Sequence, residues 1–297
     1  MITAAELGLL YAVMAVGVYL TYRVLDFPDL TVDGSFTTGA AISAVLIIAG
    51  VPAWVAILAG TAGGFLAGVV TGLLHVWGGI NPLLAGILTQ IALYSVNLRI
   101  MGKANVPLLR ETTVMSPLRD ADLLGTWFSV GLFAVGAAAL GVLVYWFLGT
   151  KYGVALRATG DNELMARSQG INTGTAKIIG LAISNALVAL CGSLIAQYQG
   201  YTDISMGIGL IVAGLASVII GQAIFGMTAV WQAVVAAMLG SVIYRSVIQL
   251  ALGAGLAPND MKLISAVLVV IALVVPKWGV FKKLRARRRR AAQAGVA

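Results

Sequence analysis

The 297-residue sequence is poor in the groups that soluble catalysts use: charged residues are 10% of it, and it has one cysteine and one histidine. A soluble domain carries about 25% charged residues, so a water-facing globular surface is excluded. The single Cys191 excludes an internal disulfide and a thiolate cluster, and reads as a small core residue. The single His75 stands at the end of an apolar run with no second imidazole for a metal site, and reads as an interfacial polar residue. One histidine and one cysteine also leave no nucleophile–base pair for an intramembrane enzyme. The phosphate loop G-x-x-x-x-G-K-[ST] is absent: the one Gly-Lys pair, Gly102–Lys103, has Asn97 where the first glycine would stand. The expectation is a chain that is not an enzyme, holds no metal or cofactor and does not bind ATP by that route.

What the sequence does have is apolar length. Hydrophobic residues are 60% of the chain and the mean hydropathy is +0.98. A bilayer core of about 30 Å takes roughly 20 apolar residues per helix. The expected spans are 4–22, 34–50, 53–76, 81–101, 126–148, 176–197, 206–226, 228–250 and 260–276. The fold class is thus an all-α polytopic membrane protein with about nine transmembrane helices, some discontinuous, since 34–50 and 206–226 are short or glycine-broken. Residues 1–276 form one transmembrane domain and 277–297 a basic tail. The first residues lack a basic region and a small-residue cleavage site, so 5–22 is expected to be a retained span.

The formal charge of +8 is confined to that tail, whose Lys277, Lys282, Lys283, Arg285 and Arg287–Arg290 have no acidic neighbours. The run is expected to bind no nucleic acid, and next to an apolar segment it reads as a cytoplasmic anchor on the anionic surface of the lipid bilayer. The loop 149–175, with Lys151, Arg157 and Arg167 against Asp161 and Glu163, is placed on the same side. Five spans precede it, which puts the N-terminus and loop 102–125 outside and the C-terminus in the cytoplasm.

Three features lie within or beside the spans. Gly60, Gly64, Gly68 and Gly72 line one helix face with no side chains, which admits a neighbouring backbone closely, inside the subunit or between subunits. The stretch LDFPDLTVDGSFTTGA, residues 25–40, places Asp26, Asp29 and Asp33 beside apolar runs. Pro28 and Gly34 break helix there, so residues 26–33 are expected to run extended, partly at membrane depth. Asp33 or Ser35 can then cap the next helix while Asp29 and Thr31 bond open backbone, or the same residues can line a translocation path. Gln90, Tyr94, Asn97 and Asn185 are further path candidates inside spans, each also able to bond a neighbouring helix.

The segment GTKYGVALRATGDNELMARSQGINTGTAKIIGLAIS, residues 149–184, carries a short helix: Asp161 can cap it, Glu163 suits its first turn, and Gly170 ends it. Leu164, Met165 and Ser168 fall near one face, which suits a groove on another protein better than a lipid surface, where a longer and more basic helix is expected.

Within that segment, ATGDNELMARSQGINT, with Ala166, Gly170, Ile171 and Asn172, resembles the coupling-helix region of permeases of the branched-chain amino acid and ribose family of ABC importers, on its single-permease, amino-acid-type side. PDLTVDGS resembles the family's Asp-Leu-Ser-Val-Gly-Ser segment with Asp33 as an extra residue, and GLIVAGLASVIIGQAIFG resembles its late glycine-rich span. The resemblance covers much of residues 10–280. It implies cytoplasmic ABC ATPase subunits, an extracytoplasmic solute-binding protein and a second permease copy, in the cytoplasmic membrane of a prokaryote. ATPase coupling would fall on Asp161, Glu163, Leu164, Met165, Ala166, Ser168 and Gly170. The expected function is the permease subunit of an importer for a small polar solute, above all an amino acid, with sugars and nucleosides as alternatives. An ion-coupled secondary transporter is the rival from another class; it would need ionisable groups within spans and often an inverted repeat, and no clear repeat is present.

Overall fold

The computed structural model describes residues 2–227, 229–253 and 263–270. Helix α1 (Ile2–Tyr19) continues through a π turn at Leu20–Val24 and is followed by α2 (Thr31–Ile48), α3 (Ala53–Val76) and α4 (Pro82–Met101). A short strand β1 (Asn105–Pro107) and α5 (Ser116–Asp120) precede α6 (Trp127–Gly149), α7 (Lys151–Asp161) and α8 (Glu163–Ser168). Then come α9 (Thr173–Gln199), β2 (Tyr201–Asp203), α10 (Leu210–Phe225) and α11 (Val230–Gly253), and residues 263–270 are helical. Seven of these helices, counting α1 with its π turn, are long and apolar enough to cross a membrane, and α10 is shorter. The ninth expected span, 260–276, is described only over 263–270, and the tail 277–297 lies outside the described residues.

Local chemistry fixes the ends. Asn81 accepts from the Leu83 amide at 3.0 Å with Pro82 in the first turn of α4, and Asn172 accepts from the Thr175 amide at 3.1 Å to start α9. Gly102 and Gly200 close α4 and α9 in the left-handed conformation.

The bundle has two polar faces. On the first, Glu6 of α1 accepts from the Gly125 amide at 2.8 Å, and β1 pairs antiparallel with β2. On the second, Gly160 of α7 packs against the Val24 carbonyl at the other end of α1. The N-terminal end of α1 and loop 102–125 therefore share one face, opposite the 149–175 loop.

Helices α1, α2 and α9 form the centre, and α3 lies on α9. Gly64, Gly68 and Gly72 press on Asn185, Leu181 and Ile178 of α9, while Gly60 meets Ser193 and Gly39. This settles the two readings of the glycine face in favour of packing inside the subunit. With little apolar driving force between helices in lipid, close backbone contact of this kind supplies the dispersion that holds them. Cys191 is buried on α9 with its thiol donating to the Leu10 carbonyl at 3.3 Å.

Two elements depart from regular spans. Residues 25–30 are non-helical, with Leu25, Phe27 and Asp29 buried and Asp26 and Pro28 exposed, and α2 starts at Thr31 rather than after Gly34. Gly34 does not interrupt it: the residue sits in the first turn, where a missing side chain lets α4 approach through Leu93 and Gln90. Helix α10 begins beside Asp33, and the glycine-broken span expected at 206–226 is a shorter helix, Leu210–Phe225.

Candidate functional site

The candidate path residues separate into two groups. Asp29, Thr31, Ser35 and Asn185 are all buried, and they bond one another. Asp29 accepts from the Thr31 amide at 2.9 Å and from Asn185 Nδ2 at 2.7 Å; Asn185 Oδ1 accepts from Ser35 at 2.7 Å, and Thr31 shares a 2.8 Å bond with Thr71 of α3. This network ties the irregular segment before α2 to α3 and α9. Within the non-helical segment, the buried Asp29 carboxyl thus has protein partners on both oxygens.

Asp33, Gln90, Tyr94 and Asn97 form the second group, around a cleft of about 360 Å3 between α2, α4 and residues 204–208. Asp33 does not cap its own helix, as the sequence led us to expect. Its Oδ2 accepts from the Gly209 amide at 2.7 Å and its Oδ1 from the Ile211 amide at 2.8 Å, which caps α10 across the cleft with a carboxylate at the positive end of the helix dipole. Ser35 likewise leaves its own helix uncapped and donates to Asn185. Asn97 Nδ2 donates to the Gly34 carbonyl at 3.3 Å, and its buried Oδ1 has no partner among the described residues. Tyr94 is half exposed at the mouth. The cleft thus offers an open acceptor, neutral polar side chains and an aromatic ring, and no cation lines it among the described residues.

On the second face, α8 is capped by Asn162, whose Oδ1 accepts from the Met165 amide at 3.0 Å; Asp161, expected as the cap, is the last residue of α7 and exposed. The shift of one residue follows from α7, which the sequence reading did not contain. Gly170 ends the turn at φ 81°. Ala166 is buried and anchors the helix, Ser168 donates to the Met165 carbonyl at 2.8 Å, and Leu164 and Met165 are 81% and 62% exposed. Two bulky apolar side chains are therefore held out on a braced turn.

The brace is a cluster the sequence did not disclose. Glu163 Oε2 accepts from Lys177 Nζ at 2.8 Å, and Oε1 accepts from Arg167 at 2.8 Å and Thr173 at 3.2 Å. The hydrogen bond from Lys177 and that ammonium's charge, with the Thr173 and Arg167 bonds, hold the Glu163 carboxyl below the usual carboxylate range against the opposing effect of burial. Lys177 Nζ also lies 3.4 Å from His75 Nε2. An ammonium only donates, so Nε2 accepts, and His75 Nδ1–H donates to the Ile80 carbonyl at 2.8 Å. His75 packs edge-on to Phe27 with ring centroids 5.2 Å apart. Contacts therefore run from α8 through Glu163, Lys177 and His75 to the irregular segment that carries Asp29.

Comparison with known proteins decides the family. Residues 1–274 match the family described as the branched-chain amino acid transport system permease component. The chain belongs to this permease family. The permease is 41% identical over 281 residues to the tyrosine transport system permease protein of Clostridioides difficile, covering 94% of this chain and 92% of that one. It is 27% identical over 217 residues to the ribose import permease protein of Escherichia coli, covering 71% and 65% of the two chains. Its fold is similar to a chain in the structure of PsaBC from Streptococcus pneumoniae in complex with Fab, with a TM-score of 0.52 at 18% identity over 91% of the permease and 88% of that chain. The permease is accordingly a multi-pass membrane protein of a transport family, whose relatives are permeases and not enzymes.

Beyond the expected residues, Glu6 of α1 and Arg245 of α11 are charges inside spans. Glu6 accepts from Tyr198 Oη at 2.8 Å and from Ser129, and the Arg245 guanidinium lies 3.6 Å from the Tyr11 ring centroid. Both pair with groups on other helices, and their sequence signal was a lone charge within an apolar run.

Proposed function

We propose that the permease is the membrane subunit of an ABC importer that moves an amino acid inward, driven by ATP hydrolysed in separate cytoplasmic subunits. The observation that carries this is the 41% identity, along 94% of the chain, to a permease named for tyrosine transport. An aromatic amino acid is therefore the first solute to test, with an extracytoplasmic binding protein setting most of the specificity.

Two features of the structure support the reading. The exposed Leu164 and Met165 on α8 are of a size and polarity to fill an apolar groove on an ATPase, in which case the second face is cytoplasmic and the N-terminal end of α1 is outside. The cleft at Asp33, Tyr94 and Asn97 opens on a largely exposed face of α4, so that a second copy of the permease related by a two-fold axis would close it into a central path. Closure of the ATPase pair would push on α8, and the Glu163–Lys177–His75 contacts would carry that displacement to the segment before α2.

The test is uptake into proteoliposomes. With its ATPase, ATP and binding protein, the permease should accumulate radiolabelled tyrosine; alone, it should neither hydrolyse ATP nor accumulate solute. Uptake by the single chain under an ion gradient would replace this reading with a secondary transporter.

A further inference from the structure

A second cleft, of about 440 Å3, lies where α6, α7 and the start of α11 meet on the second face, away from the cleft at Asp33. Arg157 of α7 lines it. Among the described residues its buried Nε has no hydrogen-bond partner, and no carboxylate lies within ion-pair distance of its guanidinium. Arg157 also lines a smaller adjoining cleft of about 300 Å3 that it shares with Arg23, where Asp161 is the one acidic residue. Arg157 is half-buried, and a guanidinium whose Nε is withdrawn from water is costly without an anion.

The surroundings indicate where the anion comes from. Trp146 of α6 and Trp231 of α11 border the first cleft and are 70% and 53% exposed. They stand at the end of spans, the depth at which aromatic side chains meet lipid headgroups. The exposed stripe of α6 through Val135 and Val142 runs along the helix to Trp146, giving an acyl chain a continuous apolar track into the cleft.

We propose that this cleft binds an anionic phospholipid of the second-face leaflet, with Arg157 donating to the phosphate oxygens and Trp146 and Trp231 seating the glycerol and upper acyl carbons. A guanidinium matches two oxygens of one phosphate, and basic pockets between spans are suited to such headgroups.

The experiment is native mass spectrometry of the full chain released from detergent and titrated with phosphatidylglycerol, phosphatidylcholine or inorganic phosphate. The wild-type chain should retain one phosphatidylglycerol in preference to phosphatidylcholine. Arg157→Gln should weaken that retention on the order of tenfold, and Arg157→Lys less, because the charge remains while the fork is lost. All variants share the basic tail, so the difference isolates the cleft. Trp231→Leu, which leaves Arg157 in place, should also weaken retention and decides the matter if Arg157→Gln fails to fold. Wild-type retention in the folded variants, equal retention of phosphatidylcholine, or full displacement by inorganic phosphate would each overturn the lipid assignment.

Discussion

Asn185 of α9 donates to Asp29 Oδ2 at 2.7 Å and accepts from Ser35 at 2.7 Å, so one amide joins the irregular segment before α2 to the first turn of α2. All three residues are buried. Removing the amide leaves a carboxylate oxygen and a hydroxyl without partners. We expect Asn185→Leu to destabilise the permease by on the order of 3 kcal/mol. Thr71→Val, which removes the interhelical bond to Thr31 and a back-bond to the Ala67 carbonyl of its own helix but strands no charged group, should cost less, about 0.6 kcal/mol. Thermal unfolding in detergent compares the two directly.

The glycine face of α3 gives a second contrast. A Cβ on Gly68 would strike the Leu181 carbonyl and lie 2.7 Å from Ala182 Cα, both backbone, whereas on Gly63 it would meet the tip of the Ile42 side chain. Backbone cannot turn aside and a terminal methyl can. Gly68→Ala should therefore cost about 1–3 kcal/mol by forcing α3 from α9. Gly63→Ala should be near neutral, because relief of glycine's backbone entropy, worth up to about 1 kcal/mol, offsets the side-chain adjustment. The same unfolding measurement distinguishes them.

These two cases show what the sequence carried. The four-residue glycine spacing was legible because helical periodicity alone puts Gly60, Gly64, Gly68 and Gly72 on one face; that the face meets α9 was not, since nothing local encodes the partner. Spans were legible from apolar length, and so was the irregular stretch at Pro28. The partner of Asp33 was not: it caps Gly209 and Ile211, distant in sequence, and local reasoning assigned it to its own helix. The same limit hid the Glu163–Lys177–His75 cluster, whose members come from α8, α9 and α3. Asp161 was misplaced as a cap because an amphipathic α7 before it was read as loop.

The Glu163 cluster predicts a pH dependence. Its carboxyl is depressed in the folded state, so it contributes stability to α8 that is present above the unfolded carboxylate value and is lost as pH falls through the lower folded value. Amide hydrogen exchange at residues 163–168, corrected for the intrinsic rate, should show α8 protected at neutral pH and opened in acid below the usual carboxylate range. Glu163→Gln should be less protected at neutral pH and lose most of the acid step. A wild-type acid step unchanged in this variant would assign the opening to another group.

Coupling of the permease to an ATPase through α8 is tested most directly by co-purification of that ATPase with Leu164→Asp at equal permease level. Leu164 is 81% exposed and makes no contribution to the bundle core, so the variant should insert and fold as the wild type does. In an apolar groove the new carboxylate would be buried without a partner, a penalty of several kcal/mol. Leu164→Asp should lose the ATPase and ATP-driven uptake while keeping wild-type expression and thermal stability. Retention of the ATPase with normal uptake would contradict it.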